Sequence, residues 1–272
     1  MRKYSTSPFY VLQSFWQHKS LIWQLAKSEV IGRYRGSVMG LFWSFFNPVL
    51  MLIIYTFVFS VVFKARWGGV DDNKTAFALI LFAGMILFNF FAECINGAPA
   101  LITRQVNFVK KVIFPLEILP WVSVLSALFH LLISTGVLLL FYVALNFSLH
   151  WTIVFLPLII LPLLVLTLGL TWFISGLGVY IRDLNQSIGI MTTVILFLSP
   201  VFYARASLPA AVQNYYFLNP LTFAIEQVRD LILLGELPDW VGLGIYYLVS
   251  VAVAWLGLVW FQKNRAGFAD VL

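Results

Sequence analysis

The sequence predicts an all-α integral membrane protein with six transmembrane helices. Of its 272 residues, 61% are hydrophobic and 10% are charged, which excludes an ordinary soluble domain and a disordered chain. Apolar stretches long enough to cross a bilayer recur along the chain, and the basic residues between them fall unevenly on alternate sides. A single membrane domain is therefore expected over residues 39–262.

Residues 1–38 are predicted to be cytoplasmic and to contain an amphipathic interface helix. Between residues 9 and 31, apolar and polar residues alternate at helical spacing. One face carries Leu21, Ile22, Leu25 and Ala26, and the other carries Lys19, Gln24, Lys27 and Ser28. This pattern is typical of a helix that lies on a membrane surface, and a soluble N-terminal tail is the alternative.

The first transmembrane helix directly follows a short basic segment that contains Arg33 and Arg35. Residues 39–63 carry no charged side chain, and a stretch of this length crosses a hydrocarbon core about 30 Å thick. Gly36 and Gly40 let the backbone turn from the membrane surface into the crossing. The two arginines are expected to stay at the level of the lipid phosphates.

Five further spans are predicted, at residues 76–98, 118–145, 151–181, 187–203 and 240–262. Six crossings place both termini on the same side and leave a cytoplasmic tail at residues 263–272. Of the 17 Lys and Arg residues, 12 fall in segments on the N-terminal side of the membrane and 5 on the other. Because basic residues accumulate on the cytoplasmic side, this division predicts cytoplasmic termini.

The cytoplasmic loop at residues 99–117 is predicted to act as a coupling loop that holds a short helix parallel to the membrane. It is bounded by Pro99 and Pro115 and mixes apolar residues with Arg104, Lys110 and Lys111. These three cations would face a soluble partner or lipid phosphates. Positive-inside charge without a partner is the alternative interpretation.

The outer segment at residues 204–239 is too apolar for a solvated loop and is predicted to form two re-entrant half-helices. The first is expected at Pro209–Tyr216. The second is expected to begin with Asn219 as its N-cap and Pro220 at its first position, and to end at Gly235. Its buried face would carry Leu221, Ile225, Val228 and Ile232, with Glu226 and Arg229 or Asp230 pointing elsewhere.

Catalytic and metal-binding motifs are not found in the chain. A nucleotide-binding P-loop needs a Gly-Lys pair, which does not occur, and the single cysteine, Cys94, excludes an intramolecular disulfide and a paired-cysteine metal site. Glu93 and His130 are ionisable residues within predicted spans; because the sequence suggests that they are isolated, hydrogen bonding is favoured over a proton relay. No cofactor or metal is expected on this chain.

Aromatic residues make up 17% of the chain, more than interfacial belts explain. The excess is concentrated in the first span. Aromatic faces stack on the C–H faces of sugar rings, so an aromatic-lined passage would suit a polysaccharide, whereas packing and lipid contact are the alternative roles.

Five blocks of sequence, taken in order, resemble the membrane (permease) subunit of ABC-2 type polysaccharide exporters. They are RYRGSVMGLFWSFFNP (33–48), VKKVIFPLEILP (109–120), IRDLNQ (181–186), LSPVFY (198–203) and LNPLTFAIEQVRDLI (218–232). Members of this family export O-antigen, capsule or teichoic acid polymers on a polyprenyl-diphosphate lipid. The resemblance implies a homodimer in the bacterial cytoplasmic (inner) membrane, bound to two copies of a separate ATPase subunit that would hold ATP and Mg.

The resemblance also assigns roles to particular residues. Channel-lining aromatics would be Trp43, Phe46, Tyr55, Phe59, Phe197 and Tyr203, and the lipid diphosphate would enter at Arg33 and Arg35. Contacts that couple the chain to the ATPase would be made by Arg104, Lys110, Lys111, Arg182 and Asp183. An external gate would be shaped by Pro209, Asn219 and Pro220.

Three other functions remain open on the sequence alone. An ABC-2 exporter of a small amphiphilic molecule or drug would also use aromatic residues. An ion-coupled carrier is disfavoured because few charged residues lie within the spans. A membrane-embedded enzyme is disfavoured because no catalytic cluster is found.

Overall fold

The described chain is a bundle of long helices. A computed structural model describes residue 7, residues 9–62, 74–105 and 114–203, residue 213, and residues 219–272. These ranges contain helices and turns and no strand, which confirms the all-α class. The α-helices are α1 (Tyr10–Tyr34), α2 (Trp43–Tyr55), α3 (Lys74–Gly97), α4 (Leu119–Asn146), α5 (Leu156–Gly178), α6 (Leu184–Leu198), α7 (Thr222–Arg229), α8 (Trp240–Asn264) and α9 (Phe268–Val271).

Five helical stretches in the described ranges are long and apolar enough to cross a membrane. They are Gly40–Phe59, Phe77–Ala100, Leu116–Asn146, Trp151–Gly178 and Trp240–Val271. They overlap the first four predicted spans and the sixth. The predicted fifth span, residues 187–203, overlaps α6, which has 15 residues and is about 22 Å long at 1.5 Å per residue.

Helix α3 lies at the centre of the bundle and is the most buried of the five apolar stretches, whereas the stretch containing α2 is the least buried. α2 and α6 both contact α3. Each of these two outlying helices has only two buried residues, Ser44 and Leu52 in α2 and Ile188 and Thr192 in α6. Both helices are therefore attached along one narrow line, and most of their surface is exposed.

Helix α1 packs along the first half of α4. Its buried side includes Ile22, Ala26 and Val30, and the ring of Phe15 lies 4.8 Å from that of Trp121. The predicted polar positions Lys19, Gln24, Lys27 and Ser28 are exposed. We call the end of the bundle where α9 and the first turn of α1 lie the inner end, and the opposite end the outer end.

Small residues allow α5 and α8 to cross in close contact. A Cβ atom added at Gly257 would lie 2.1 Å from the main-chain oxygen of Gly169, and one added at Gly169 would lie 2.6 Å from the main chain of Ala254. Such distances leave no room for a side chain. The crossing therefore holds the last apolar helix against the centre of the bundle by backbone-to-backbone packing.

The outer segment begins its helix two residues later than predicted. The structure places the N-cap at Leu221 and begins α7 at Thr222, so the prediction of Asn219 as the helix N-cap was wrong. The Asn219 side-chain oxygen instead accepts a hydrogen bond from the backbone N–H of Leu221, at 3.0 Å, in a turn before the helix. Gly235 ends the helical segment with φ 70°, as predicted.

Candidate functional site

Aromatic rings from the last turn of α6 and from the segments that follow α2 and α6 meet at the outer end of the bundle. Phe59 lies 5.6 Å from Phe77 of α3 and 6.3 Å from Phe202, and Phe202 lies 5.9 Å from Phe197. The Tyr203 hydroxyl donates a hydrogen bond of 2.5 Å to the main-chain oxygen of Phe197. Three of the predicted channel aromatics therefore belong to one outer aromatic cluster that closes over the beginning of α3.

Two other predicted aromatics form a second group near the beginning of α2. The rings of Trp43 and Phe46 are 5.5 Å apart, and Phe42, which is exposed, stacks on Phe46 at 6.2 Å. Tyr55, the remaining predicted aromatic, is partly buried against the core. The six residues are thus divided between the two ends of α2 and the outer end of α6.

Arg33 joins α1 to two helices of the bundle. Its Nη2 lies 2.6 Å from Glu93 Oε1 of α3, and its Nη1 lies 3.2 Å from His130 Nδ1 of α4. His130 Nδ1 also lies 3.2 Å from both carboxylate oxygens of Glu93, and the Tyr34 hydroxyl lies 3.1 Å from His130 Nε2. These four residues form the Arg33 cluster, and the prediction that Glu93 and His130 are isolated was wrong.

Electrostatics favour a permanently charged Arg33. Partial burial by itself lowers the pKa of the Arg33 guanidinium, but the hydrogen bond and negative charge of Glu93 outweigh it, and the pKa is raised overall. The side chain still exposes 42% of its surface. Arg33 therefore has a fixed partner and can also contact a second anion from the exposed side.

A second ionic cluster ties the inner end together. Arg265 Nη1 forms an ion pair with Glu117, and its Nη2 donates to the main-chain oxygen of Phe114 at 2.8 Å. The Tyr10 hydroxyl donates to Glu117 Oε1 at 2.9 Å, and burial, followed by the charge of Glu117, raises the pKa of Tyr10 to about 12. The cluster links the beginning of α1, the end of the predicted coupling loop and the C-terminal tail.

The two ionic clusters lie at different depths. Glu117 and His130 are 13 residues apart along the turn and helix that begin α4, which corresponds to about 20 Å. The Arg33 cluster is therefore nearer the middle of the bundle, and the Tyr10–Glu117–Arg265 cluster lies toward its inner end.

The other charged candidates that the structure describes are exposed. Arg35 follows the last residue of α1, Arg104 lies in a single helical turn at Thr103–Gln105, and Arg182 and Asp183 lie in the turn between α5 and α6. Lys110 and Lys111 lie outside the described residues. The structure thus leaves Arg35, Arg104, Arg182 and Asp183 accessible at the inner half of the molecule.

Arg229 fixes the outer segment to the bundle. Its side chain is 6% exposed, and its guanidinium donates to the main-chain oxygens of Ile80 at 2.9 Å, Pro200 at 2.5 Å and Val201 at 3.1 Å. The prediction that Arg229 could point away from the buried face was wrong. Gly84 makes room for it, since a Cβ there would lie 2.7 Å from Nη2.

Further contacts hold the beginning of α7 in the same place. The Asn219 side-chain amide donates to the Ser199 hydroxyl at 2.8 Å, and the Tyr246 hydroxyl donates to the main-chain oxygen of Pro220 at 2.9 Å. Pro209 lies outside the described residues. Two of the three predicted gate residues are therefore packed between α6 and α8.

Sequence reasoning missed Tyr34, Glu117, Arg229 and Arg265 as members of buried polar clusters. A signal existed for two of them, because Glu117 directly precedes a long apolar stretch and Arg265 lies three residues after the last predicted span. Their pairing joins residues 148 positions apart, which no local pattern reveals.

The fold and the polar clusters define a multi-helix membrane protein with two exposed apolar helices and aromatic rings grouped at their ends. The family model for ABC-2 type transporters matches residues 20–233, so the chain belongs to that family.

Curated relatives match along most of their length. The chain is similar to the O-antigen export system permease protein RfbA of Myxococcus xanthus, with 27% identity over 262 residues, 96% of this chain and 98% of the relative. An RfbA of Klebsiella pneumoniae is 28% identical over 242 residues, 88% of this chain and 90% of the relative. The polysialic acid transport protein KpsM of Escherichia coli is 19% identical over 247 residues, 87% and 90% of the two chains.

Proposed function

We propose that this chain is the channel-forming permease subunit of an ATP-driven exporter that moves a lipid-linked polysaccharide across the bacterial cytoplasmic membrane. Its membership of the ABC-2 type family supports active transport. The names of the relatives, which cover nearly the whole chain, support a polymer of the O-antigen or capsule type as substrate.

The observation that carries the proposal is the exposure of α2 and α6. The predicted channel aromatics lie in these two apolar helices or directly after them, and each helix is attached to α3 or its neighbours along one narrow line. A second copy of the chain would cover these surfaces and enclose a passage lined with aromatic rings. In this arrangement α6 is the fifth of six crossings, and both termini lie in the cytoplasm.

ATP hydrolysis would be coupled to the passage through the inner end. Two copies of a separate ATP-binding subunit, which supply ATP and Mg sites, would contact α1 and the loop of residues 99–117. Arg104, Arg182 and Asp183 are exposed where such contacts are needed, and Lys110 and Lys111 belong to the same proposed surface. The Tyr10–Glu117–Arg265 cluster would transmit movement because it joins three segments of that surface.

The lipid diphosphate would bind at Arg33 and Arg35, next to the inner end of α2. Arg33 is positioned by Glu93 and remains partly exposed, and Arg35 is exposed. Cations in this arrangement suit a diphosphate, because charge-assisted hydrogen bonds to phosphate are the stronger kind. At the outer end, the segment of residues 204–239, including Pro209, Asn219 and Pro220, would form the gate over the passage.

Depletion of the protein in its native host tests the proposal. Lipid-linked polysaccharide should accumulate on the inner side of the cytoplasmic membrane, as measured by fractionation and by access of a glycan-specific lectin in intact and permeabilised cells. Re-expression of the chain should restore the surface polymer. Unchanged surface polymer after depletion would contradict polysaccharide export and favour a small amphiphilic substrate.

A further inference from the structure

Helix α3 carries a polar strip that is distinct from the aromatic residues. Between Phe77 and Ala100 the side chains that are not fully buried fall at Met85, Asn89, Ala92, Glu93, Asn96 and Gly97. The spacing of Met85, Asn89, Ala92 or Glu93, and Asn96 places them on one face of the helix. The two residues in this range that are classed as exposed are both asparagines, Asn89 and Asn96.

The depth of Asn89 makes contact with lipid unfavourable. It lies 12 residues from Phe77 and 11 from Ala100, or about 18 Å and 16 Å from the ends of the span. An amide transferred to hydrocarbon without a hydrogen-bond partner costs about 4–8 kcal/mol. The side chain of Asn89 makes no hydrogen bond to another residue that the structure describes, so its amide needs water or a polar ligand.

The strip has neighbours on α1, α4 and α6, and α6 is one of the two exposed helices. On one side Glu93 contacts Arg33 of α1 and His130 of α4. On the other side Asn96 Oδ1 accepts a hydrogen bond of 2.9 Å from the Thr192 hydroxyl of α6. Nearer the outer end of α3, Phe77 is buried and contacts Phe59 of the outer aromatic cluster.

We infer that Asn89 and Asn96 form a track for sugar hydroxyls on the wall of the passage. A side-chain amide both donates and accepts hydrogen bonds, and a sugar hydroxyl does the same, so the two groups are complementary without a fixed register. Neutral amides hold a sliding polymer less firmly than charged groups would, because charge-assisted hydrogen bonds are about twice as strong. The ligand class is therefore the hydroxyl-bearing sugar ring of the transported polymer, and the inference rests on the proposed export function.

Cysteine accessibility tests the inference in the complex of this chain with its ATPase in lipid nanodiscs. The single native cysteine, Cys94, is buried, so Cys94→Ala provides a cysteine-free background. Asn89→Cys and Asn96→Cys are compared with Ala83→Cys, a buried position on the same helix, and with Leu248→Cys, an exposed apolar position on α8. The probe is a charged, membrane-impermeant methanethiosulfonate, which reacts with thiolates in contact with water.

The rate of modification at Asn89→Cys should be at least about tenfold higher than at Leu248→Cys or Ala83→Cys. Co-purified lipid-linked polymer should slow its reaction, and Asn96→Cys should behave in the same way. Reaction as slow as at Leu248→Cys would overturn the inference, because the strip would then face lipid. Fast reaction that the polymer leaves unchanged would also overturn it, because the strip would then be wet without binding glycan.

Amide chemistry is tested by two further variants of Asn89 in the host. Asn89→Leu should lower the rate of polymer export about three- to tenfold, the effect of losing one hydrogen bond, and Asn89→Gln should restore most of it. Equal export by the two variants, both assembled with the ATPase, would contradict a role for the amide. The host depletion experiment is independent of these variants, so it reports on the export proposal alone.

Discussion

Arg33 shows how one residue can serve both structure and transport. Its ion pair with Glu93 and contact with His130 connect the surface-packed α1 to two central helices. Its remaining exposed surface is available to a lipid phosphate. Arg35, two residues later, is exposed and has no side-chain hydrogen bond to another described residue, so the two arginines provide a matched pair.

Arg33→Gln should lower both stability and export. Removing the partner of a half-buried carboxylate is expected to cost about 1 kcal/mol, discounted for the exposure of the pair, and to lower the melting temperature of the detergent-purified protein by about 2–4 °C. Arg35→Gln should lower export and leave the melting temperature unchanged. Equal melting temperatures for Arg33→Gln and the wild type would contradict a structural role for the pair.

Arg229→Lys should destabilise the outer segment. A lysine cannot reproduce the planar arrangement of donors that reaches three main-chain oxygens, and unsatisfied buried carbonyls cost about 1–3 kcal/mol. The melting temperature should fall, and Gly84→Ala should lower it as well, because the added Cβ would stand 2.7 Å from Arg229 Nη2. Arg182→Lys, at an exposed position, is the control. A wild-type melting temperature for Arg229→Lys would show that the three hydrogen bonds add nothing.

For single residues, the sequence identified several candidate functional side chains but not the side chains that they contact. Arg33 and the aromatics stood out by their positions beside or within apolar stretches. The pairing of Glu93 with His130 and the burial of Arg229 depend on which helices are neighbours, and helix neighbours are set by packing between distant segments. Asn219 was expected at a helix boundary, but its side chain caps a turn two residues earlier.

Helices α5 and α8 approach each other so closely that Gly257 has no room for a side chain. Gly257→Ala should destabilise the protein by about 1–3 kcal/mol, since its Cβ would have to displace the backbone of α5. Gly244→Ala lies on the same helix with no atom within 4 Å of the added Cβ, and it should leave the melting temperature unchanged or raise it slightly. Similar losses in both variants would indicate a general intolerance of α8 rather than a tight crossing.

The outer segment should respond to pH through Asp230. Burial, followed by the negative charge of Glu236, raises the pKa of Asp230 to about 6. A carboxyl group whose pKa is raised by folding stabilises the segment when it is protonated, so this contribution is complete below about pH 4 and is lost as the pH rises through about 6.

Asp230→Asn should therefore flatten the dependence of stability on pH between about 4 and 7. Melting temperatures of the two proteins should agree near pH 4, where both side chains are neutral, and the variant should be the more stable at pH 7. A wild-type slope in the variant would show that another group governs the segment. The helical pattern predicted the burial of Leu221, Ile225, Val228 and Ile232, which the structure confirms, but the proximity of Asp230 to Glu236 depends on the fold.

At the scale of the whole molecule, composition and hydropathy were enough to predict an all-helical membrane protein. The fifth span was predicted to be the shortest, at 17 residues, and α6 is short as well, at 15 residues; an apolar pattern does not define the depth of such a helix. The proposed passage follows from the way that α2 and α6 stand apart from the bundle, and it requires a second copy of the chain to enclose it. The sequence could not assign the exposed faces of α2 and α6 or the polar strip on α3, because a helix that is apolar on nearly all sides does not indicate which side faces its neighbours.

The most direct measurement is transport of lipid-linked glycan into proteoliposomes that contain this chain and its ATPase. We predict that ATP makes the glycan inaccessible to an external glycosidase, and that omission of either subunit or of ATP abolishes this protection. Protection that needs ATP but not this chain, or hydrolysis of ATP with no movement of glycan, would contradict the proposal that the chain forms the passage.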